Sequence, residues 1–289
     1  YTGTQHSLYL NSIFQSKFGS QNKNYKLGLS YYADNYKEEL NETDFIRNDR
    51  TLGAFSEVSI NSGERFTSIV GMRADYSKLW GMWYSPRLHV RFNPIETVVF
   101  RASAGKANRQ ANILAENISC FFSSRTLEMD LYENLDAEAA WNYGFNFTTN
   151  FSILNKETTF NMDVYQTDFQ NQVVVDIEQG DKIKIYNLNG TSYSTSLQID
   201  ATIEPAEGWE LKFAQKWNET KTTYGENGSS TTTYMPFVSK YRSLAQVSYA
   251  AWQNKWDINI TLQNIGPSRV PAKGEQAESW SPNFNLLSG

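Results

Sequence analysis

Hydrophobic and polar positions alternate along most of this chain. Residues 141–151 read WNYGFNFTTNF, with Trp141, Tyr143, Phe145, Phe147 and Phe151 at odd positions and Asn142, Gly144, Asn146, Thr148 and Asn150 at even ones. A β-strand sends successive side chains to opposite faces, so this segment has one aromatic face and one face of amides and hydroxyls. After a tight connection at Leu154-Asn155-Lys156-Glu157 comes TFNMDVYQTDFQNQVVV, read as one strand. That is far longer than the roughly five or six residues of a usual strand. A soluble sandwich strand also alternates, but with an aliphatic buried face and a charged outer one.

The same period recurs elsewhere. Tyr25, Leu27, Leu29 and Tyr31 oppose Lys26, Gly28, Ser30 and Tyr32; Leu88, Val90 and Phe92 oppose Arg87, His89 and Arg91. Leu197, Ile199, Ala201 and Ile203 oppose Ser196, Gln198, Asp200 and Thr202; Trp256, Ile258, Ile260 and Leu262 oppose Asp257, Asn259, Thr261 and Gln263. The pattern predicts about thirteen strands.

The connections fall into two classes. Short ones are expected near 19–24, 62–63, 93–94, 154–157, 205–208 and 253–255, and longer polar ones near 35–50, 77–84, 107–134, 177–183, 219–234 and 264–279. Short turns alternating with long loops are the pattern of a membrane-spanning barrel, whose turns face the periplasm and whose loops face outward. Trp80, Trp83 and Tyr84 on the loop side, and Trp252 and Trp256 beside a short turn, are expected to form aromatic girdles at the two headgroup levels.

Composition narrows the picture further. The 289 residues suffice for one large β domain or two smaller ones. Aromatics make up 15% of the chain, yet no run approaches the roughly 18 apolar residues of a membrane-crossing helix. In a barrel only alternate residues meet lipid, so a low mean hydropathy is compatible with one. A net charge of -5 argues against a nucleic-acid partner. The single cysteine, Cys120, excludes an internal disulfide and a cysteine-cluster metal site, and the two histidines, His6 and His89, have no ligand spacing. Neither a nucleophile with a positioned base nor a cofactor motif is present, so we expect no enzyme, no metal and no cofactor. The chain begins at Tyr1 without an initiator Met, which suggests a processed or truncated piece.

Several stretches, taken in order, resemble the barrel of TonB-dependent outer-membrane transporters. SPRLHVRF (85–92) followed by NPIETVVFRASAGKANRQANILAEN looks like the family's strand, periplasmic turn and next strand. The family's G-x-G-[FY]-R-[AS]-P run is matched by AGKANRQAN, which keeps Gly105 and Arg109 but has Ala111 in place of proline. LDAEAAWNYGFNF (135–147) looks like a family strand start, with Ala137 where proline is usual. Residues 163–175 and 186–199 resemble the following hairpin, SPNFNLL (281–287) a late strand, and the flavour is that of a Bacteroidetes-type member.

The resemblance implies an all-β fold: an antiparallel up-and-down transmembrane β-barrel, present as about thirteen strands of a 22-stranded barrel. Residues 1–289 are then a portion of one barrel domain, with the N-terminal plug and the last strands not present. It implies an outer-membrane location and energised uptake of a scarce nutrient, such as a siderophore, haem, a corrinoid or an oligosaccharide. The implied partners are TonB (through the plug segment), outer-membrane lipid and lipopolysaccharide, a small-molecule or metal-chelate ligand, and a surface lipoprotein. A passive porin, an adhesin or a soluble β-sandwich binding module is the alternative.

Two residue sets are candidates for function. In the loop 107–134, Arg109, Asn112, Glu116 and Asn117 offer donors and acceptors, and Phe121 and Phe122 an apolar cover. By alternation Arg73, Asp75, Arg87, Arg91, Arg101 and Asp163, with Glu210 and Lys212, face the lumen. A solute path and a solvated wall are both open readings of that second set.

Overall fold

Long two-faced segments with tight turns pair best with their sequence neighbours, and the result is a meander. The computed structural model describes residues 1–19, 22–40, 42–121, 125–129, 135–178, 181–225, 230–251, 255–271 and 279–289. Strands β1 (Thr2–Lys17), β2 (Lys23–Leu40), β3 (Thr43–Ser62), β4 (Phe66–Ser77), β5 (Gly81–Ile95) and β6 (Val98–Arg109) come first. Two single-turn helices, α1 (Ile113–Glu116) and α2 (Ile118–Phe121), precede the short strand β7 (Thr126–Met129). Next are β8 (Glu138–Ile153), β9 (Lys156–Asn171), β10 (Val173–Asp176), β11 (Lys182–Asn187), β12 (Ser192–Ile203) and β13 (Trp209–Tyr224). The chain continues through β14 (Thr231–Tyr234), β15 (Tyr241–Ala251), β16 (Trp256–Ile265), β17 (Arg269–Val270), β18 (Ser279–Trp280) and β19 (Phe284–Ser288).

The principal sheet runs β1-β2-β3-β4-β5-β6-β8-β9-β12-β13-β15-β16-β19, with β14 alongside β13. These thirteen antiparallel strands in chain order are the wall of an up-and-down barrel, as the alternation predicts. A sandwich would divide them between two packed sheets.

Directly paired residues share a face, so the register settles both faces. Leu10, Tyr31, Leu52, Tyr76 and Met82 are successive partners in one row. Phe92, Phe100, Phe147 and Met162 form another, with the Phe100 and Phe147 rings 5.1 Å apart. Leu10, Leu52, Tyr76 and Met82 are more than half exposed. A contiguous apolar face of this extent does not face water; it is the lipid side of a barrel. Trp209 and Tyr249, 4.7 Å apart, and the exposed Trp256 close its short-turn end.

The opposite face carries Tyr9, Tyr32, Thr51 and Ser77 in one row and Lys26, Glu57 and Arg87 in another. Glycines let side chains lie flat on it. A Cβ at Gly28 would overlap the Phe55 ring, and one at Gly53 would overlap the paired Arg73 and Asp75 side chains.

Three expectations change. Residues 35–50 are not a loop: β2 and β3 stay paired to Leu40 and Thr43. The outward positions there are Asn35, Lys37, Glu39, Asp44, Asn48 and Arg50, with Ile46 the one apolar exception, so the strands have risen beyond the lipid and the apolar half of the alternation thins out while backbone pairing goes on. Residues 77–84 are likewise a tight hairpin between β4 and β5. The long strand expected to end in VVV breaks at Gln172, and Val173–Asp176 leaves the wall to pair with β11.

The aromatic girdle is also redrawn on the loop side. Tyr84 faces outward and is exposed, but Trp83 pairs with Asp75 on the polar face. Trp80 donates its indole N–H to the Leu135 carbonyl at 2.8 Å. Phe122 and Trp252 lie outside the described residues.

Candidate functional site

The long connections fold into a cap over the loop-side mouth. β10 pairs antiparallel with β11, and β11 pairs parallel with β7, which comes from a different connection. Ile113, Leu135, Ile183 and Ile185 are buried beneath this small sheet, and Cys120, Phe121 and Leu127 pack against them. Burying apolar side chains contributed by two connections fixes each against the other.

Polar anchors complete the cap. At the end of β6, Arg109 donates through Nε to Glu138 at 2.7 Å and through both terminal nitrogens to Glu116 at 2.9 Å each. Glu138, at the start of β8, also accepts the Val173 backbone N–H at 3.1 Å. Burial pulls the Arg109 guanidinium down, but the hydrogen bonds and charges of Glu138 and then Glu116 outweigh it and hold it above its ordinary value. Further along, the nearly fully buried Arg269 forks onto Glu178, tying the β16–β19 connection to that between β9 and β12. Asp176 accepts the Tyr186 hydroxyl at 2.7 Å and the Gly225 N–H at 3.2 Å.

Beside the cap, on the polar face, lies a cavity of about 330 Å³ lined by Tyr9, Tyr32, Tyr36, Thr51, Trp83, Arg73, Asp75, Asn108, Arg109, Gln110 and Asn112. Aromatic faces and a few convergent polar groups are what a small-molecule site needs. A second cavity of about 200 Å³ lies under the Arg109 knot, among Ile113, Glu116, Glu138, Val174 and Tyr224.

The residues expected to bind divide between these places. Arg109 lines both cavities, and Asn112 lines the larger one. Glu116 and Asn117 line the smaller one, where Asn117 also donates its side-chain N–H to the Ile113 carbonyl at 2.8 Å. Phe121 packs into the apolar interior of the cap.

The eight expected lumen residues all fall on the polar face. Arg73 forks onto Asp75 at 2.7 and 2.6 Å, and Arg87 pairs with Glu57, which also takes Lys26 at 3.1 Å. Arg91 reaches Asn93 at 3.1 Å. Arg101 donates to Asn146 at 2.7 Å, and Asn146 in turn donates to Asp163 at 2.9 Å. Glu210 and Lys212 are Cα partners of Ser248 and Gln246.

Tyr9 and Tyr36 were not singled out by sequence, and Trp83 was expected in the girdle and not in a cavity. Their parity with Tyr32, Asp34 and Asp75 is the signal that finds them. Arg47 was missed as well; it donates to the Ala111 carbonyl at 3.1 Å and to Asn112 Oδ1, fastening the root of the cap to β3. Among the described residues, no group of three or more His, Cys, Asp and Glu side chains is placed to hold a metal.

A lipid-facing aromatic wall, a polar face and a folded cap over one mouth define an outer-membrane β-barrel receptor wall. The family profile described as TonB dependent receptor-like, beta-barrel matches residues 1–287, and the chain belongs to that family. It is an outer-membrane chain of Gram-negative bacteria.

Solved structures agree in fold. A point mutant of the ferric enterobactin receptor PfeA of Pseudomonas aeruginosa superposes with a TM-score of 0.73 at 12% identity, covering 99% of this chain and 46% of that one. The siderophore receptor PirA of Acinetobacter baumannii gives 0.72 at 10% identity, with 99% and 48% covered. The FrpB iron transporter of Neisseria meningitidis gives 0.72 at 14% identity, with 99% and 47% covered. The chain therefore spans about half the length of these receptors. No curated relative matches the sequence.

Proposed function

We propose that this chain is a barrel portion of an active-uptake receptor. The cap and the cavity beside it capture a scarce nutrient from outside. A plug within the lumen, moved by TonB, then releases the nutrient inward. The observation that carries this reading is the cavity lined by Tyr9, Tyr32, Tyr36 and Trp83 with Arg73 and Arg109, at the root of cross-braced connections. The flat-lying side chains over Gly28 and Gly53 support a lumen that accepts a fitted plug. Of the candidate cargoes, a metal chelate is favoured by what the structural neighbours are named for: ferric enterobactin, a siderophore and iron. Lipid and lipopolysaccharide surround the apolar face, and a surface lipoprotein is a further partner of the mouth.

The test is uptake. Cells carrying the receptor should accumulate the ligand only while TonB is present, and Trp83→Ala should weaken binding about tenfold, the loss of roughly 1.4 kcal/mol of stacking. Uptake that persists without TonB would identify a passive pore instead.

A further inference from the structure

Asp34 and Asp49 stand directly opposite each other on β2 and β3. Both are fully buried, at 0% exposure, on the face covered by Ala111 and Asn112, which Arg47 anchors. They lie above the lipid band, where the outward neighbours are Asn35 and Asn48. Like charges directly opposite in a sheet repel, and burial makes each charge dearer to hold. The pair needs compensation.

Donors reach only part of it. Asp34 Oδ2 accepts from Gln5 Nε2 at 3.0 Å, from the Tyr36 hydroxyl at 2.6 Å and from the Tyr32 hydroxyl, and Ser7, its partner on β1, supports the carboxylate as well. Asp49 Oδ2 faces Arg47 Nε at 3.1 Å. Asp34 Oδ1, Asp49 Oδ1 and Thr51 Oγ1 are buried and make no hydrogen bond with the protein. Thr51 is two residues along β3 from Asp49, so its side chain stands on the same face, and the residue is only 8% exposed.

We propose that Asp34 Oδ1, Asp49 Oδ1 and Thr51 Oγ1 form a binding site for calcium, built into the wall beneath the root of the cap. The donor set is oxygen only and includes two carboxylates, which suits a hard divalent cation and not a soft one. A single shared proton is the competing solution. It forms one hydrogen bond, between the two carboxyl groups, and leaves the Thr51 hydroxyl unengaged. A cation draws on all three oxygens at once.

Charge bookkeeping sets the strength. Burial pushes the Asp49 carboxyl up, Arg47 opposes this, the facing Asp34 adds to it, and Arg50 opposes it. Asp34 is held below its ordinary value because its donors Ser7, Tyr32, Tyr36 and Gln5 outweigh burial. Arg47 offsets one of the two negative charges, so the dissociation constant belongs in the ~10⁻⁴–10⁻³ M range of extracellular calcium modules.

Terbium(III) tests the site directly, because the hydroxyls of Tyr32 and Tyr36 touch Asp34 and their rings can sensitise its emission. Terbium titrated into the receptor in detergent micelles should give tyrosine-sensitised luminescence that millimolar calcium displaces. Asp49→Asn should remove that signal, and Thr51→Val should weaken terbium binding several-fold. The control Glu128→Gln, on the cap surface, should leave it intact. Because Asp49→Asn alone can perturb folding, calcium should also raise the thermal midpoint of the unaltered receptor, and a chelator should reverse the rise. Absent luminescence, emission equal in Asp49→Asn, or stabilisation by low pH without any response to calcium would each overturn the site.

Discussion

Arg109 holds Glu116 with both terminal nitrogens at 2.9 Å while its Nε holds Glu138 at 2.7 Å, so one guanidinium joins the end of β6, α1 and the start of β8. Lysine keeps the charge but loses the planar fork. Arg109→Lys should leave the wall folded and loosen the cap by about 1–2 kcal/mol, chiefly because Glu138 is only 9% exposed. Amide exchange at residues 113–121 and 173–176 should rise, while exchange in β1–β5 stays as before.

The Arg73–Asp75 fork lies across the backbone of Gly53. A methyl there would overlap Asp75 Oδ1 and Arg73 Nη2 and stand 2.7 Å from Ser30 Oγ. Gly53→Ala should therefore destabilise the barrel by about 1–3 kcal/mol, read from urea unfolding in micelles. Gly63→Ala is the contrast: no atom crowds it, so its cost is confined to its backbone φ of 65°.

At the β8–β9 turn both Leu154 and Asn155 have positive φ, 50° and 61°, and Leu154 is 92% exposed. Two left-handed residues form the turn that matches strand twist, and leucine suits it poorly. Leu154→Asn should stabilise the hairpin by up to about 1 kcal/mol, seen as a higher unfolding midpoint.

Tyr224 ends β13 beyond the lipid band, packed with Val174 and Tyr186. Burial pushes its hydroxyl up from 10.0 to about 12; Arg269 opposes this, and Glu178 and Asp176 add to it. The folded value exceeds the unfolded one, so the neutral hydroxyl contributes fully below about pH 10. That contribution fades as pH rises through about 12, and two pKa units correspond to roughly 2–3 kcal/mol. Tyr224→Phe should flatten the alkaline fall in stability over that window. An unchanged fall would assign it to another group.

The strand count and the two faces were legible because period-two alternation is local, and each strand pairs with its neighbour in sequence. Arg73, Asp75, Arg87, Arg91, Arg101 and Asp163 could be placed on one face from parity alone. Residues 35–50 escaped because hydrophobicity reports contact with lipid, and above the lipid a strand keeps its hydrogen bonds without an apolar side. Trp83 escaped because an aromatic near a strand end suits both a girdle and an inner cavity. Parity relative to Asp75 decides between them.

The sequence by itself determined the wall: alternation, tight turns and an aromatic face dictate an antiparallel membrane barrel, since hydrogen bonding between adjacent strands needs nothing distant. Only the tertiary structure decided the site. Lys182 donates to Glu128 at 2.5 Å across 54 positions in sequence, where β7 and β11 pair. Arg47 reaches Asn112 across 65. Such contacts form because folding brings two separate connections over one mouth, where their apolar residues are buried together and their charges find partners. No local pattern encodes that meeting.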